Sequence, residues 1–332
     1  MKYRQLGRTG MQVSEIGFGA WGIGGATPGA TSYGPTDDRE SLRALHCALE
    51  LGMTFYDTSD IYGAGHSERL IGQAFRNARS RVVVASKVGF LAHDGPQDFS
   101  PSHVCAALER SLECLQTEYL DLFQLHNPSA DVLAREDVLT TLQDLKRRGA
   151  IRAVGVSLRS PADIPAVITS GIYETIQVNF NLTDQRLIEH GLLTRCQAAG
   201  IGIIVRTPLC FGFLTGNYQP ASVFGEQDHR SRWSDTQRAV WADAPRLFEE
   251  TLTTLVGSPA QRALRFCLSY PAISTVIPGM LTTRQVEENA AASHLGPLAE
   301  AERLRIEVLY RSRTFFVTPA TPRLVVPDAV GV

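Results

Sequence analysis

VVVASKVG, residues 82–89, sets a lysine directly after five small or β-branched residues suited to a buried strand. An ammonium carried out of such a strand has to be paired, because burying it alone is costly. Two other stretches share the pattern of a short run rich in β-formers that turns polar at its C-terminal end. FYDTSDIYG (55–63) ends on Asp57 and Tyr62, and YLDLFQLHNP (119–128) ends on His126. In a parallel barrel that end of the strands is the active-site face.

The order of elements along the chain supports a parallel barrel. Its 332 residues suit one (β/α)₈ domain. Strand-like runs recur at Ile16 to Ala20, Thr54 to Asp57, Val82 to Ser86, Leu120 to Leu125, Ala153 to Ser157, Thr175 to Phe180, Ile201 to Arg206 and Ser274 to Ile277. Helical periods separate most of them. Leu42, Leu45 and Leu49 share one face after a Thr36/Asp37 cap, with Gly52 behind them; a second period runs from Ser67 to Phe75. A third opens on Ser100 and Pro101 and repeats Val104, Leu108, Leu112 and Leu115. Val138 to Leu145, closed by Gly149, gives a fourth, and Leu187, Leu192 and Cys196, closed by Gly200, a fifth. Strand alternating with helix implies right-handed βαβ units around a sheet buried on both faces. The expected fold is therefore α/β, a single (β/α)₈ TIM barrel over residues 1–316 with an irregular tail at 317–332. Tyr3 to Leu6, the Gly7-Arg8-Thr9-Gly10 turn and Met11 to Val13 read as an N-terminal β-hairpin that plugs the barrel bottom. A long loop follows the seventh barrel strand, from Phe211 to about Gln237.

Composition narrows the class. Charged residues make up 20% and the formal net charge is -2, so no basic stripe invites nucleic acid. The apolar runs are too short for a membrane span, and Met1 to Gly10 lacks the apolar core of a secretory signal; a cytoplasmic location is expected. The six cysteines form no C-x-x-C pair and mostly lie in helical patterns, where a thiol serves as a small apolar filler. The eight histidines show no metal-ligand spacing, so no metal is expected.

Asp57, Tyr62, Lys87 and His126 make a proton-delivery set. A tyrosine can protonate a carbonyl oxygen as hydride arrives at carbon, but its pKa near 10 has to come down. A lysine ammonium beside the phenol lowers it, and a carboxylate holds the lysine charged. Tyr62 is then the general acid, Lys87 its tuner, Asp57 the anchor of Lys87, and His126 the group that orients the carbonyl or relays a proton. Taken singly, Asp57 reads as a turn cap and His126 as an ordinary strand-end histidine. The case rests on the four standing together at successive strand ends.

With these residues the chain resembles the aldo-keto reductase family. The ordered matches are LGRTG (6–10), VSEIGFGAWGIGG (13–25), F-x-D-T-x-x-x-Y-G (55–63), Lys87, LHNP (125–128), VGVS (154–157), IQVNFN (176–181), TPLCFGFLTG (207–216), and IPG with QVEEN (277–279, 285–289). The resemblance implies a (β/α)₈ barrel that binds NADPH without a Rossmann domain and reduces an aldehyde or ketone, a small-molecule carbonyl, to the alcohol. It implies that Asp57, Tyr62, Lys87 and His126 are the catalytic tetrad and that Ser157 and Gln177 hold the carboxamide. It places Pro208, Leu209 and Gly212 over the pyrophosphate, and Gln285, Glu288 and Asn289 at the adenosine end. Leu158 stands where many members have Asn, and Arg206 where many carry an aromatic that stacks on nicotinamide; a guanidinium can stack too. Gly279 and Gln285 occupy positions where relatives often have a lysine and an arginine. Arg284 is the nearest cation, readable as a partner of the 2′-phosphate or as a solvated helix residue. NADPH is the expected cofactor, with NADH a weaker alternative.

The expected substrate pocket holds Trp21, Tyr33, Phe90, Asn127 and the long loop with Phe213, Phe224, Asp228, His229, Arg230 and Trp233, a mixture that suits a sugar-like or aromatic carbonyl compound. The loop reads equally as a cover over a ligand or as a segment burying its own aromatics. Asp228-His229-Arg230 reads either as a group reaching cofactor or substrate, the cofactor side being favoured, or as a local salt-bridge cluster. Two other functions fit a cofactor-retaining barrel: a redox-neutral elimination or epimerisation on a natural-product intermediate, and a nicotinamide-sensing regulatory subunit.

Overall fold

The computed structural model describes residues 1–27, 29–252, 254 and 256–317, so the expected tail beyond Val317 lies outside the described residues. Tyr3–Gln5 (β1) and Gln12–Ser14 (β2) pair antiparallel, as the hairpin reading expects. Eight parallel strands follow: Phe18–Gly19 (β3), Phe55–Asp57 (β4), Val83–Val88 (β5), Leu120–His126 (β6), Ile151–Ser157 (β7), Thr175–Asn179 (β8), Gly202–Arg206 (β9) and Ile273–Ile277 (β10). Each is bonded to the next in one sheet. Parallel bridges Ile16 to Val276 and Gly19 to Gly279 bring the last strand beside the first and complete the barrel.

The helices are Asp38–Glu50 (α1), His66–Phe75 (α2), Pro101–Leu115 (α3), Ala130–Leu133 (α4), Glu136–Arg147 (α5), Ile164–Ser170 (α6), Leu192–Ala198 (α7), Asp235–Glu249 (α8), Pro259–Leu268 (α9), Thr283–Leu295 (α10) and Glu300–Ser312 (α11). Two starts follow from their caps. Asp37 accepts from the Arg39 N–H, and Ser100 accepts from the His103 N–H with Pro101 at the first position. Among the described residues no helix is long and apolar enough to cross a membrane.

Two boundaries differ from the sequence reading. The helix expected across Leu187 to Cys196 is broken, because Glu189 (ψ 153°) and His190 (φ 52°) leave helical geometry and divide a 3₁₀ segment from α7. The Phe211 to Gln237 stretch contains 3₁₀ turns at Cys210–Thr215 and His229–Arg232, and it gives way to α8 under a Ser234 cap.

Side-chain alternation along the strands builds the barrel in layers. One parity, including Val84, Phe123, Val154, Ile176 and Val205, packs outward against the helices. The other points into the lumen, where Phe55, Ala85, Leu122, Ala153, Ile204 and Ile277 form an apolar floor with Leu6 and Val13 of the hairpin. Two residues further along the same strands, the lumen turns polar with Asp57, Lys87, Gln124 and Arg206, and with Gly155 from β7. Gly155 has no room for a side chain: an added Cβ would lie 2.3 Å from Thr175 Oγ1 and 3.0 Å from Gln124 Cγ. Gly155→Ala therefore overpacks the polar layer, at a cost of about 1–3 kcal/mol, and calorimetry is expected to show a melting temperature lowered by about 2 °C or more.

Candidate active site

Lys87 is completely buried at the centre of the polar layer. Its ammonium donates to Asp57 Oδ1 at 2.5 Å, to the Thr58 carbonyl at 2.7 Å and to the Tyr62 hydroxyl at 3.3 Å. Strand register makes this set: β4, β5 and β6 lie side by side, with Asp57 paired to Ala85 and Lys87 paired to Gln124. The short turn after β4 then carries Tyr62 back over the ammonium.

Asp57 is shared more widely than the sequence reading foresaw. Its second oxygen accepts from Gln177 Nε2 at 2.6 Å and from Gln124 Nε2 at 3.1 Å. Gln124 is a site residue that the sequence reading missed. Its signal is the alternation Leu122, Gln124, His126, which puts all three on the lumen face of β6.

Burial and charge compete at each group. Burial opposes the charged form of Lys87, but Asp57 and Tyr62 outweigh it and raise the ammonium above its ordinary range. For Tyr62 the order is reversed. Burial raises the phenol most, Lys87 pulls it down, and the balance lies above the ordinary value. The lowering expected from the lysine is thus real as an opposing pull, while desolvation of the phenolate wins. Tyr62 consequently keeps its proton at neutral pH. His126 is driven well below the ordinary histidine range, first by burial and then by the positive charges of Lys87 and Arg206, so it stays neutral.

A cleft of about 650 Å³ opens over this floor. Asp57, Tyr62, His126, Gln177 and Arg206 line its base. Pro208, Leu209, Gly212, Gly279, Gln285, Glu288 and Asn289 line one arm, and Trp21, Phe90, Asn127 and Trp233 are among the residues that line the remainder. Lys87 sits behind the wall. Ser157 is also behind it, fully buried, with its hydroxyl donating to Asn127 Oδ1 at 3.3 Å. Arg284 is exposed and outside the lining. Leu158 turns its side chain into the outer core, while its carbonyl accepts from Arg206 Nη2 at 2.9 Å. Asn179, two residues after Gln177 on β8, lines the cleft instead.

The long loop buries some of its aromatics and lines the cleft with others. Phe213 is fully buried and packs near Tyr218, Phe224 and Trp241, while Phe211, His229 and Trp233 face the cleft. His229 anchors it through a 2.7 Å bond from its backbone N–H to the Ser32 carbonyl. Arg230 has its guanidinium engaged by Asp228 at 2.6 Å and by the Tyr218 hydroxyl at 2.6 Å. The Asp228-His229-Arg230 run thus forms a local ion-paired cluster, and within it His229 and Arg230 also line the cleft.

The residues present suit a dinucleotide. Thr207, Cys210 and Phe211 all take positive φ (50°, 46° and 56°) on the arm of the cleft, with Gly212 at 91°. Backbone strain of about 1–3 kcal/mol per residue is typically retained where a ligand is gripped. Among the described residues Arg206 Nε is buried without a partner at the junction of floor and arm.

The chain matches the model of the Aldo/keto reductase family over residues 15–311, and it belongs to that family. It is 31% identical over 304 residues to L-galactose dehydrogenase of Arabidopsis thaliana, which covers 88% of each chain. It is 30% identical to aldo-keto reductase yakc [NADP(+)] of Schizosaccharomyces pombe, with 84% of each chain covered. The holo form of aldo-keto reductase AKR11C1 from Bacillus halodurans superimposes with a TM-score of 0.77 at 28% identity, covering 95% of this chain and 98% of that one. The protein is an NAD(P)H-dependent oxidoreductase acting on carbonyl groups of small molecules.

Replacing Lys87 with Met removes the ammonium and leaves the cleft lining intact. Carbonyl reduction is expected to fall ~10²-fold or more, while dinucleotide affinity by fluorescence titration stays within a few-fold. The opposite pattern would recast Lys87 as a cofactor contact.

Proposed function

We propose that this protein reduces an aldehyde or ketone to the alcohol with NADPH, Tyr62 giving the proton. The observation that carries the reading is the Tyr62 hydroxyl at the cleft base, 3.3 Å from an ammonium locked on Asp57. NADPH, when bound, supplies the hydride. The chain's own residues do the rest. Tyr62 holds a proton at neutral pH and gives it to the carbonyl oxygen. Lys87 stabilises the phenolate left behind, Asp57 keeps Lys87 fixed and charged, and His126 orients the oxygen. In the oxidative direction Tyr62 acts as the base.

Gln177, Asn179 and Arg206 stand where a nicotinamide end would be held, with Ser157 steadying Asn127 from behind. Pro208, Leu209 and Gly212 would cover the pyrophosphate, and Gly279, Gln285, Glu288 and Asn289 would take the adenosine. We assign Arg284, exposed in the first turn of α10 beside Gln285, to the 2′-phosphate. The printed NADP(+) of the fission-yeast relative supports NADPH over NADH, and NADH is the weaker alternative. Trp21, Phe90, Asn127 and Trp233 offer a substrate pocket of aromatic walls with one amide. That lining suits a sugar-like or aromatic carbonyl compound, and the likeness to L-galactose dehydrogenase supports the sugar side. Six free thiols fit a reducing compartment, and we place the protein in the cytoplasm.

The test is a fluorescence titration with NADPH and NADH, followed by loss of 340 nm absorbance against aldehydes, ketones and keto-sugars. Binding with turnover supports the reading; tight binding without turnover across the panel counts against it. Tyr62→Phe is expected to bind NADPH normally and lose ~10²–10⁴-fold in reduction rate, whereas near-normal reduction would remove Tyr62 from the role of acid. Arg284→Ala is expected to narrow the ratio of NADPH to NADH affinity, and an unchanged ratio would send the 2′-phosphate elsewhere.

A further inference from the structure

The turn that delivers Tyr62 also carries Ser59 and Asp60. His126 Nδ1 lies 3.2 Å from Ser59 Oγ, and that hydroxyl donates to Asp60 Oδ1 at 3.0 Å. His126 lines the cleft, and its Nε2 bonds to no protein atom among the described residues. Ser59 is fully buried, whereas Asp60 keeps partial exposure. A chain of three side chains therefore runs from the reacting centre toward solvent. We infer that Ser59 and Asp60 form a proton relay behind His126 that sets which ring nitrogen carries its proton, and so whether His126 donates to a carbonyl oxygen or accepts from an alcohol hydroxyl.

Ser59 has one proton to give, so it can donate to Asp60 or to His126 but not to both. With Asp60 ionised, the Ser59 proton points to the carboxylate. Ser59 Oγ can then only accept from His126, so the proton sits on Nδ1 and Nε2 presents a lone pair to the cleft. With Asp60 protonated, the carboxyl donates to Ser59 Oγ, Ser59 donates to Nδ1, and Nε2 carries the hydrogen. Passing from the first state to the second takes up one proton at Nε2. The Nδ1 proton moves to Ser59 Oγ, and the Ser59 proton moves to Asp60. The imidazole begins and ends neutral, as its surroundings demand: burial, Lys87, Arg206, His93 and Arg159 all oppose imidazolium.

Asp60 is suited to the exchange. Burial pushes its carboxyl up to about 6, opposed by bonds from Ser59 and the Ile61 N–H and by the charges of Arg110 and Lys87. Glu68 on α2, bonded to Ser86 Oγ at 2.5 Å, is the other acid facing it, pushed up to about 7. Ser59 and Asp60 are positioning residues, acting on substrate only through His126.

This inference rests on the carbonyl-reductase reading of the same cleft, and its test separates the two. Nitrogen-15 histidine spectra of the cofactor-free protein, with the His126 signal assigned from a His126→Asn variant, are expected to show Nδ1–H at pH 8 and Nε2–H at pH 5, with a midpoint near 6. Ser59→Ala and Asp60→Asn are expected to lose that transition, and Ser59→Thr to retain it. In steady-state reduction, kcat/KM is expected to fall about tenfold or more above a break near pH 6, through loss of one hydrogen bond to the reacting oxygen, and the break is expected to vanish in both relay variants. One tautomer throughout pH 5–8 in the unmodified protein, or a break near pH 6 that survives in both variants, overturns the relay. A tautomer switch in a protein that reduces nothing across the panel supports the relay while sinking the reductase reading.

Discussion

The buried ion pair between Lys87 and Asp57 is the interaction around which the site is arranged. Breaking a buried pair at that depth costs about 3–5 kcal/mol, so removing either side chain leaves the other uncompensated. Coulombic attraction alone would leave the remaining carboxylate oxygen unsatisfied. Gln124 and Gln177 supply it with two donors, and the Thr58 carbonyl takes a further ammonium proton. These partners sit on different elements of the barrel, and each has one geometry that reaches. The pair therefore fixes the relative positions of β4, β5, β6 and β8 at their C-terminal ends, and the Tyr62 hydroxyl is held where the ammonium can act on it.

Such a cluster is affordable because the barrel below it is dry and closed. The hairpin sets Leu6 and Val13 under the apolar floor, and the cleft opens over the polar layer on the opposite side. Low polarity above the floor strengthens every electrostatic contact in it. The same burial opposes the charged forms of Tyr62 and His126 and keeps both neutral. A neutral phenol beside a permanent cation, with a neutral imidazole across the cleft, suits proton transfer to an oxygen that gains charge only as the reaction proceeds.

The wall of the cleft comes from elements far apart in the chain. His229 of the long loop bonds to Ser32 after β3, and its ring lies 4.5 Å from that of Trp21. Trp233 rests on Phe211 at 4.5 Å and on Trp241 of α8 at 4.9 Å. The aromatics buried behind the loop give it a fixed shape, so that the ring faces turned to the cleft need not be ordered by a ligand. Lining the cleft and packing on itself are here one property of the loop.

The amino-acid sequence by itself determined the eight strands, the starts of α1 and α3 and the polar strand ends, because these follow from local rules: two-residue alternation, capping side chains, and the need to pair a lysine leaving a buried strand. Asp57, Tyr62, Lys87 and His126 were legible for that reason. Tertiary structure alone decided that Gln124 and Gln177 both donate to Asp57, that Leu158 packs into the outer core while Asn179 lines the cleft, and that Arg230 is held by Asp228. It also decided the direction in which Tyr62 is shifted. Each of these depends on the register between neighbouring strands or on the balance of burial against charge, and neither can be read from residues along one segment. A register shift of a single residue would exchange the lumen face for the outer face, and only the closed barrel sets that register.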